Sequence, residues 1–164
     1  MPMLVSGLLA GFIVGLISGG DWRNLRGVDV KFWPVLAGGA AARLAAPFVG
    51  SLALVFSVLG LVLVGLAAML NRTLPGVGLL GAGALLNAVV TILNGGMPVD
   101  PSALAASGKP VPDDGLHVLL GPETRLAFLG DVLLAPVLNN IYSAGDVLLA
   151  TGGFWMAFRI LKRR

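Results

Sequence analysis

Five apolar runs, each about as long as a bilayer is thick, constrain the fold of this chain more than any other feature. A helix that crosses the hydrocarbon core of a membrane needs roughly 20 consecutive, mainly apolar residues. Runs near that length occupy residues 3–19, 32–49, 51–70, 74–93 and 141–161. Only 12% of the 164 residues are charged, whereas a soluble domain has roughly 25%. We therefore expect a single integral membrane domain over residues 1–164.

The stretch between the fourth and fifth runs has a different character. Residues 95–125 are rich in Pro, Gly and Asp and are predicted to form an outer loop. Residues 126–138 are apolar again but too few to cross a bilayer, which is typical of a re-entrant or interfacial helix. The predicted fold class is an all-α polytopic membrane helix bundle, with about five transmembrane helices and this short helix on the outer side.

Charged residues indicate an orientation in the membrane, because basic residues favour the cytoplasmic side. With the N-terminus out and the C-terminus in, one cytoplasmic group contains Arg23, Arg26, Lys31, Arg72, Arg159, Lys162, Arg163 and Arg164. The opposite, acidic group contains Asp100, Asp113, Asp114, Glu123, Asp131 and Asp146. The net charge of +3 then reflects contact with anionic lipid, so the lipid bilayer is the expected partner and nucleic acid is not.

Residue types for metal and thiol chemistry are scarce. The chain has no cysteine and one histidine, His117. This excludes a thiol nucleophile, a Cys-based metal site and a cluster of His ligands within one chain. We therefore predict neither a metal nor a cofactor.

The first apolar run carries a row of glycines. Gly7, Gly11, Gly15 and Gly19 recur every fourth residue, so they lie on one face of a helix. Such faces let helices approach closely inside lipid. Two interpretations stay open: packing against another helix of the same chain, or a homo-oligomer formed through Gly7, Gly11 and Gly15.

Several polar residues interrupt the apolar runs. Arg43 lies in the second run, where a cation is costly and must reach the bundle interior, a carboxylate or the membrane surface. Asn87, Thr91 and Asn94 share one face of the fourth run. That face predicts either hydrogen bonds between helices or the wall of a polar cavity that opens outward.

The segment GDVLLA occurs twice, at 130–135 and 145–150, and each copy places an aspartate beside an apolar run. Asp146 follows Ser143 with the spacing of a capping box, so it has a structural role available at the start of the fifth helix. Asp131 has no such cap. If both carboxylates share a pocket, one pKa is raised, which suits water activation by an aspartyl hydrolase or the binding of a cation.

The motifs NGGMPV (94–99), His117, LGD (129–131) and SAGD (143–146) carry a resemblance to a known family. The chain resembles the bacterial multi-pass membrane proteins catalogued as domain of unknown function 5317. The resemblance implies a bacterial cytoplasmic membrane protein of this length and helix number. It implies no activity.

The segments GALLNAVV (83–90) and YSAGD (142–146) are also similar to two motifs of lipoprotein signal peptidase, a membrane aspartyl protease. Asn87 and Asp146 match that family's motifs. Val90 stands where the family has its first catalytic aspartate, and Thr91 stands where it has an arginine. The chemistry would then require Asp131 in place of the missing aspartate.

Three functions stay open at this stage. The first is a small-ligand carrier or accessory subunit without enzymatic activity; the second is a membrane hydrolase with Asp131 and Asp146 as catalytic candidates; the third is a structural or assembly partner. The predicted ligand-binding residues are Arg43, Asn87, Asn94, Asp131, Ser143 and Asp146.

Overall fold

A computed structural model describes residues 2–136 and 139–163. This part of the chain is mostly helical and contains α1 (Pro2–Ile17), α2 (Trp33–Ala45), α3 (Ala53–Leu70), α4 (Val77–Asn94), α5 (Pro101–Ser107) and α6 (Ala144–Leu161). Its short strands are β1 (Met97–Val99), β2 (His117–Leu119), β3 (Leu133–Ala135) and β4 (Asn140–Tyr142). Short 3-10 helices occupy Trp22–Gly27, Ala46–Phe48, Gly50–Leu52 and Ala127–Leu129.

Each of the five apolar runs contains a long helix. Three of these helices are long and apolar enough to cross a membrane, over Gly50–Leu70, Val77–Asn94 and Ala144–Leu161. Helix α1 is apolar but shorter, and α2 has 13 residues because it gives way to 3-10 turns around Pro47. Large apolar side chains such as Val55, Leu59 and Leu66 of α3 are exposed, as expected of a protein that lies in lipid.

The long helices pack in the order α2, α3, α4, α6, α1. Helices α1 and α2 therefore lie at the two ends of the row, although they are neighbours in the sequence. Glycines allow the close crossings: a Cβ on Gly60 of α3 would lie 2.8 Å from the Cβ of Arg43, and a Cβ on Gly83 of α4 would overlap the Gly145 carbonyl of α6. This is the small-residue packing that bundles use inside lipid.

The glycine face of α1 is covered by α6. Added Cβ atoms at Gly7 and Gly11 would overlap the backbone carbonyls of Ala150 and Phe154. At Gly15, a Cβ would lie 2.7 Å from the Leu161 side chain. The face thus serves packing within the chain, and an oligomer through it stays a prediction that requires α6 to move aside.

The short helix predicted over 126–138 is not found in the described part of that segment. The chain instead forms the 3-10 turn Ala127–Leu129 and the strand β3, and β3 pairs with β4 as an antiparallel hairpin. Residues 137 and 138 lie outside the described residues. The apolar pattern misled because a short apolar run fits a strand as well as a helix, and here β4 supplies the backbone partners.

The predicted outer loop contains a helix that the apolar runs did not reveal. Helix α5 begins after Asp100, whose side chain accepts a hydrogen bond from the Ser102 backbone N–H at 2.9 Å. Pro101 occupies the first turn, and Gly108 ends the helix in a left-handed conformation with φ 68°. These are ordinary start and stop signals for a helix, and α5 packs its Ala103 and Leu104 against Val99 and Ile141.

Candidate ligand-binding site

A polar cavity lies where the C-terminal ends of α2 and α4 meet the N-terminal ends of α3 and α6. We call it the outer chamber, after the orientation that the sequence predicts. Its volume is about 240 Å³. Its polar lining residues are Arg43, Ser57, Asn87, Thr91, His117, Asp131, Asn140, Tyr142 and Asp146. A polar cavity of this size is filled by water or a solute, since only apolar cavities stay empty.

Strand β1 positions Asp131. The Asp131 backbone N–H donates to the Pro98 carbonyl at 2.7 Å, and the Asp100 N–H donates to the Asp131 carbonyl at 3.0 Å. A Cβ on Gly130 would lie 2.6 Å from the Pro98 oxygen, so only glycine fits there. The NGGMPV segment therefore does more than end α4, because the strand that follows it fixes the aspartate of the first GDVLLA copy.

The other edge of β1 positions His117. Strands β1 and β2 are parallel, with Met97 opposite His117. The His117 Nδ1 lies 2.7 Å from Asp114 Oδ2, and its Nε2 lies 3.8 Å from Asp131 Oδ2. Burial raises the pKa of Asp114, but backbone hydrogen bonds and the charge of His117 outweigh it and leave that pKa below its usual value. The imidazole thus lies between the exposed Asp114 carboxylate and the carboxyl group of Asp131.

The carboxyl group of Asp131 is the least satisfied group of the chamber. The residue is only 9% exposed. Within residues 2–136 and 139–163, its Oδ1 is the one buried side-chain nitrogen or oxygen without a hydrogen-bond partner. Burial and the charge of Asp146 raise the pKa of Asp131 to about 7, although Arg43 opposes the shift. Near neutral pH this group can therefore bind a cation or hold a proton.

Asp146 has both the structural role and a place in the chamber. The Ser143 Oγ accepts from the Asp146 N–H at 3.0 Å, and Asp146 Oδ2 accepts from the Ser143 N–H at 3.4 Å, which completes a capping box. The other carboxylate oxygen, Oδ1, accepts from Asn87 Nδ2 at 3.2 Å. Ser143 Oγ donates to Asn87 Oδ1 at 2.9 Å, so Asn87 joins the cap of α6 to the wall of the chamber.

Arg43 supplies a cation on the opposite side. It lies in the last turn of α2, where a positive charge is favourable, and it lines the chamber. It forms no ion pair with any carboxylate of the described residues. The chamber therefore combines an unpaired guanidinium with two acidic side chains.

The structure brings together four of the six residues predicted to bind a ligand, Arg43, Asn87, Asp131 and Asp146, together with Thr91. Ser143 is fully buried behind Asn87 and does not line the cavity.

Asn94 does not line the cavity either, because it lies two helical turns beyond Asn87 at the end of α4. Its side chain donates to the Arg125 carbonyl at 2.9 Å and accepts from the Arg125 N–H at 2.8 Å, so it anchors the loop. The binding roles of all six residues stay predictions.

Sequence reasoning assigned no site role to His117, Ser57, Asn140 and Tyr142. The three-residue spacing of Asp114 and His117 was a usable signal, since it lets a carboxylate hold an imidazole. Nothing in the sequence pattern of the third run distinguishes Ser57. Its side chain lines the chamber because of the way α3 packs in the bundle.

The sequence matches a known protein family over most of its length. Residues 28–158 match the model of a family of unknown function (DUF5317). The chain belongs to this family. The DUF5317 match confirms the predicted resemblance and contains every chamber residue, from Arg43 to Leu149. No curated protein and no solved structure matches the chain.

Proposed function

We propose that this DUF5317 protein is a multi-pass protein of the bacterial cytoplasmic membrane that binds a small zwitterionic group in the outer chamber. The ligand carries a protonated amine, which Asp131 and Asp146 hold, and an anionic group, which Arg43 holds. The observation that carries this proposal is that Asp131, whose buried Oδ1 has no hydrogen-bond partner within the described residues, lines the same cavity as the unpaired Arg43. A buried polar atom without a partner is costly, and a ligand ammonium would satisfy it.

The proposed topology has five membrane crossings, the N-terminus outside and the C-terminus inside. Lys162 Nζ donates to the Ser18 carbonyl at 2.5 Å, and Asn24 Nδ2 donates to the Leu161 carbonyl at 2.9 Å. These contacts join the C-terminal ends of α1 and α6 at the basic end of the bundle, as an odd number of crossings requires. The chamber lies at the acidic end, which the positive-inside rule assigns to the outside.

Thermal unfolding of the purified protein in a maltoside detergent tests the ligand chemistry. The probes are phosphoethanolamine, which carries both charges, and ethanolamine and inorganic phosphate, which each carry one. We expect phosphoethanolamine to raise the unfolding midpoint in a saturable way, since a ligand at about 100 times its Kd stabilises by about 2.7 kcal/mol. Ethanolamine and phosphate should each give a smaller effect.

Three variants make the test specific. Asp131→Asn should abolish the response to ethanolamine, and Arg43→Gln the response to phosphate. Glu123→Gln is the matched control, because it removes one exposed carboxylate on the same side of the bundle without touching the chamber. Equal responses in Asp131→Asn and Glu123→Gln would refute the assignment of the site.

A second candidate is an aspartyl hydrolase. The observation in its favour is that Asp131 and Asp146 share one cavity while the pKa of Asp131 is raised to about 7, the asymmetry that such enzymes use. A statine-containing peptide, whose hydroxyl replaces the attacking water between paired carboxylates, is the probe. If the peptide stabilises the native protein but not Asp131→Asn, the hydrolase is favoured. If it stabilises neither protein, zwitterion binding is the only function that stays proposed for the chamber.

A further inference from the structure

A second cavity lies beneath the outer chamber, toward the basic end of the bundle. Its volume is about 270 Å³, and all five long helices line it, for example through Leu8, Ala40, Val64, Ala84 and Ile160. Its lining is almost entirely hydrocarbon. The one polar lining residue within the described part is Asn71, whose side chain bonds the backbone of Lys31 and Ala67 instead of facing the cavity unpaired. An apolar cavity of this kind does not bind water.

The apolar cavity and the outer chamber are adjacent. Leu61 of α3 and Leu149 of α6 line both of them. These two leucines therefore form the partition between the outer chamber and the apolar cavity, which lie one after the other along the bundle. Because the partition consists of two side chains and not of backbone, a change of their rotamers would open it to a flexible chain.

One side of the apolar cavity has no helix to close it. Leu4 and Leu8 of α1 line it from one end of the helix row, and Leu36 and Ala40 of α2 line it from the other. Helices α1 and α2 share no extensive packing interface within the described residues, and Leu36 is 38% exposed. In the proposed topology the medium beyond this gap is the interior of the bilayer.

We propose that the two cavities together bind one amphiphile, with its zwitterionic head in the outer chamber and its hydrocarbon chain in the apolar cavity. This inference rests on the proposed function and names its ligand class as a lipid-like molecule rather than a free solute. The gap between α1 and α2 is the entrance for the chain. A second copy of this protein fits the gap less well, because the glycine face that suits helix pairing is already covered by α6.

Native mass spectrometry of the protein released from maltoside micelles tests this assignment. The probes are dodecanoyl lysophosphatidylethanolamine, which has the head and a chain, and glycerophosphoethanolamine, which has the same head without a chain. We expect the amphiphile to bind at least about tenfold more tightly than the head alone, a difference of about 1.4 kcal/mol.

Two neighbouring alanines of α2 provide a matched pair. Ala40→Leu fills part of the apolar cavity and should reduce the affinity for the amphiphile to that of the head alone. Ala41→Leu adds the same side chain at an exposed position outside the cavity and should leave the affinity unchanged. A diazirine at the end of the dodecanoyl chain gives a second measurement on the native protein, with crosslinks expected on residues 4–8 and 36–40.

Each other outcome overturns a defined part of the proposals. Equal affinity of the two probes, equal behaviour of Ala40→Leu and Ala41→Leu, or crosslinks confined to the outer surface of α6 would overturn the amphiphile and leave zwitterion binding in place. Failure of both probes to bind would overturn the proposed function as well. A dimer crosslinked through α1 and α2 that persists at saturating amphiphile would assign the gap to a second copy instead.

Discussion

At the scale of single residues, the outer chamber depends on Asp131. Its backbone hydrogen-bonds to Pro98 and Asp100, which places its side chain at the wall of the chamber. His117 and Asp146 face it, as does Arg43 from α2, but none of them hydrogen-bonds its Oδ1. The residue thus holds an acidic group in a place where the charged form is disfavoured.

The raised pKa of Asp131 predicts a pH dependence of stability. Because this pKa rises from 3.8 to about 7 on folding, the folded protein binds more protons than the unfolded chain between those values. The free energy of unfolding should therefore fall as the pH rises through this range, by at most about 4 kcal/mol for a shift of this size. Asp131→Asn removes this contribution, so its unfolding midpoint should exceed that of the native protein at about pH 8.

Differential scanning fluorimetry of both proteins in detergent, from about pH 5 to about pH 8, checks this expectation. The titratable groups Asp146, His117 and Tyr142 and the cation of Arg43 are present in both proteins, so the difference between the two pH profiles reports Asp131. Parallel profiles would contradict the prediction.

At the scale of helices, the stability of the bundle depends on which glycines contact the backbone of a neighbouring helix, and not on the number of glycines. Helix α4 shows both situations. Gly83 faces the backbone of Gly145 and Leu149 in α6. By contrast, no atom of the described residues outside α4's own backbone lies within 4 Å of the position that a Cβ on Gly78 would occupy. Substitution at Gly83 should therefore cost stability, whereas substitution at Gly78 should not.

We expect Gly83→Ala to destabilise the protein, because the added methyl group overlaps the α6 backbone and forces the two helices apart. Overpacking of this kind typically costs about 1–3 kcal/mol. Gly78→Ala should be neutral or stabilising by up to about 1 kcal/mol through its better helix propensity. Unfolding midpoints of the two variants in the same detergent make the comparison, and similar midpoints would show that the α4–α6 crossing is looser than described.

The apolar runs were enough to predict the long helices from the sequence. The two GDVLLA copies were enough to predict both acidic residues of the chamber, Asp131 and Asp146. The structure of the irregular segment between α4 and α6 could not be predicted from the sequence in the same way. Asp131 reaches the chamber because β1 binds its backbone and because the hairpin of β3 and β4 returns the chain to Ser143. Pairing between strands of three residues depends on distant partners, and no local pattern encodes it.

At the scale of the whole molecule, the basic and acidic ends give a prediction about orientation. The chain has no cysteine, so single cysteines introduced at exposed positions report without interference. Glu123→Cys should react with a membrane-impermeant maleimide in intact bacterial cells, because it lies at the chamber end. Lys162→Cys should react only after permeabilisation. If Lys162→Cys reacted in intact cells and Glu123→Cys only after permeabilisation, the orientation would be the opposite of the one proposed.

The pairing of α1 with α6 has a consequence for how the protein is made. Helix α1 leaves the ribosome long before α6, so its glycine face must wait in the translocon or in lipid without its native neighbour. Helix α6 then has to insert between α1 and α4, and long-range contacts of this kind are slow to form. A nascent chain released before residue 144 would leave α1 without its packing partner and one side of α4 uncovered, and we expect membrane proteases to degrade it.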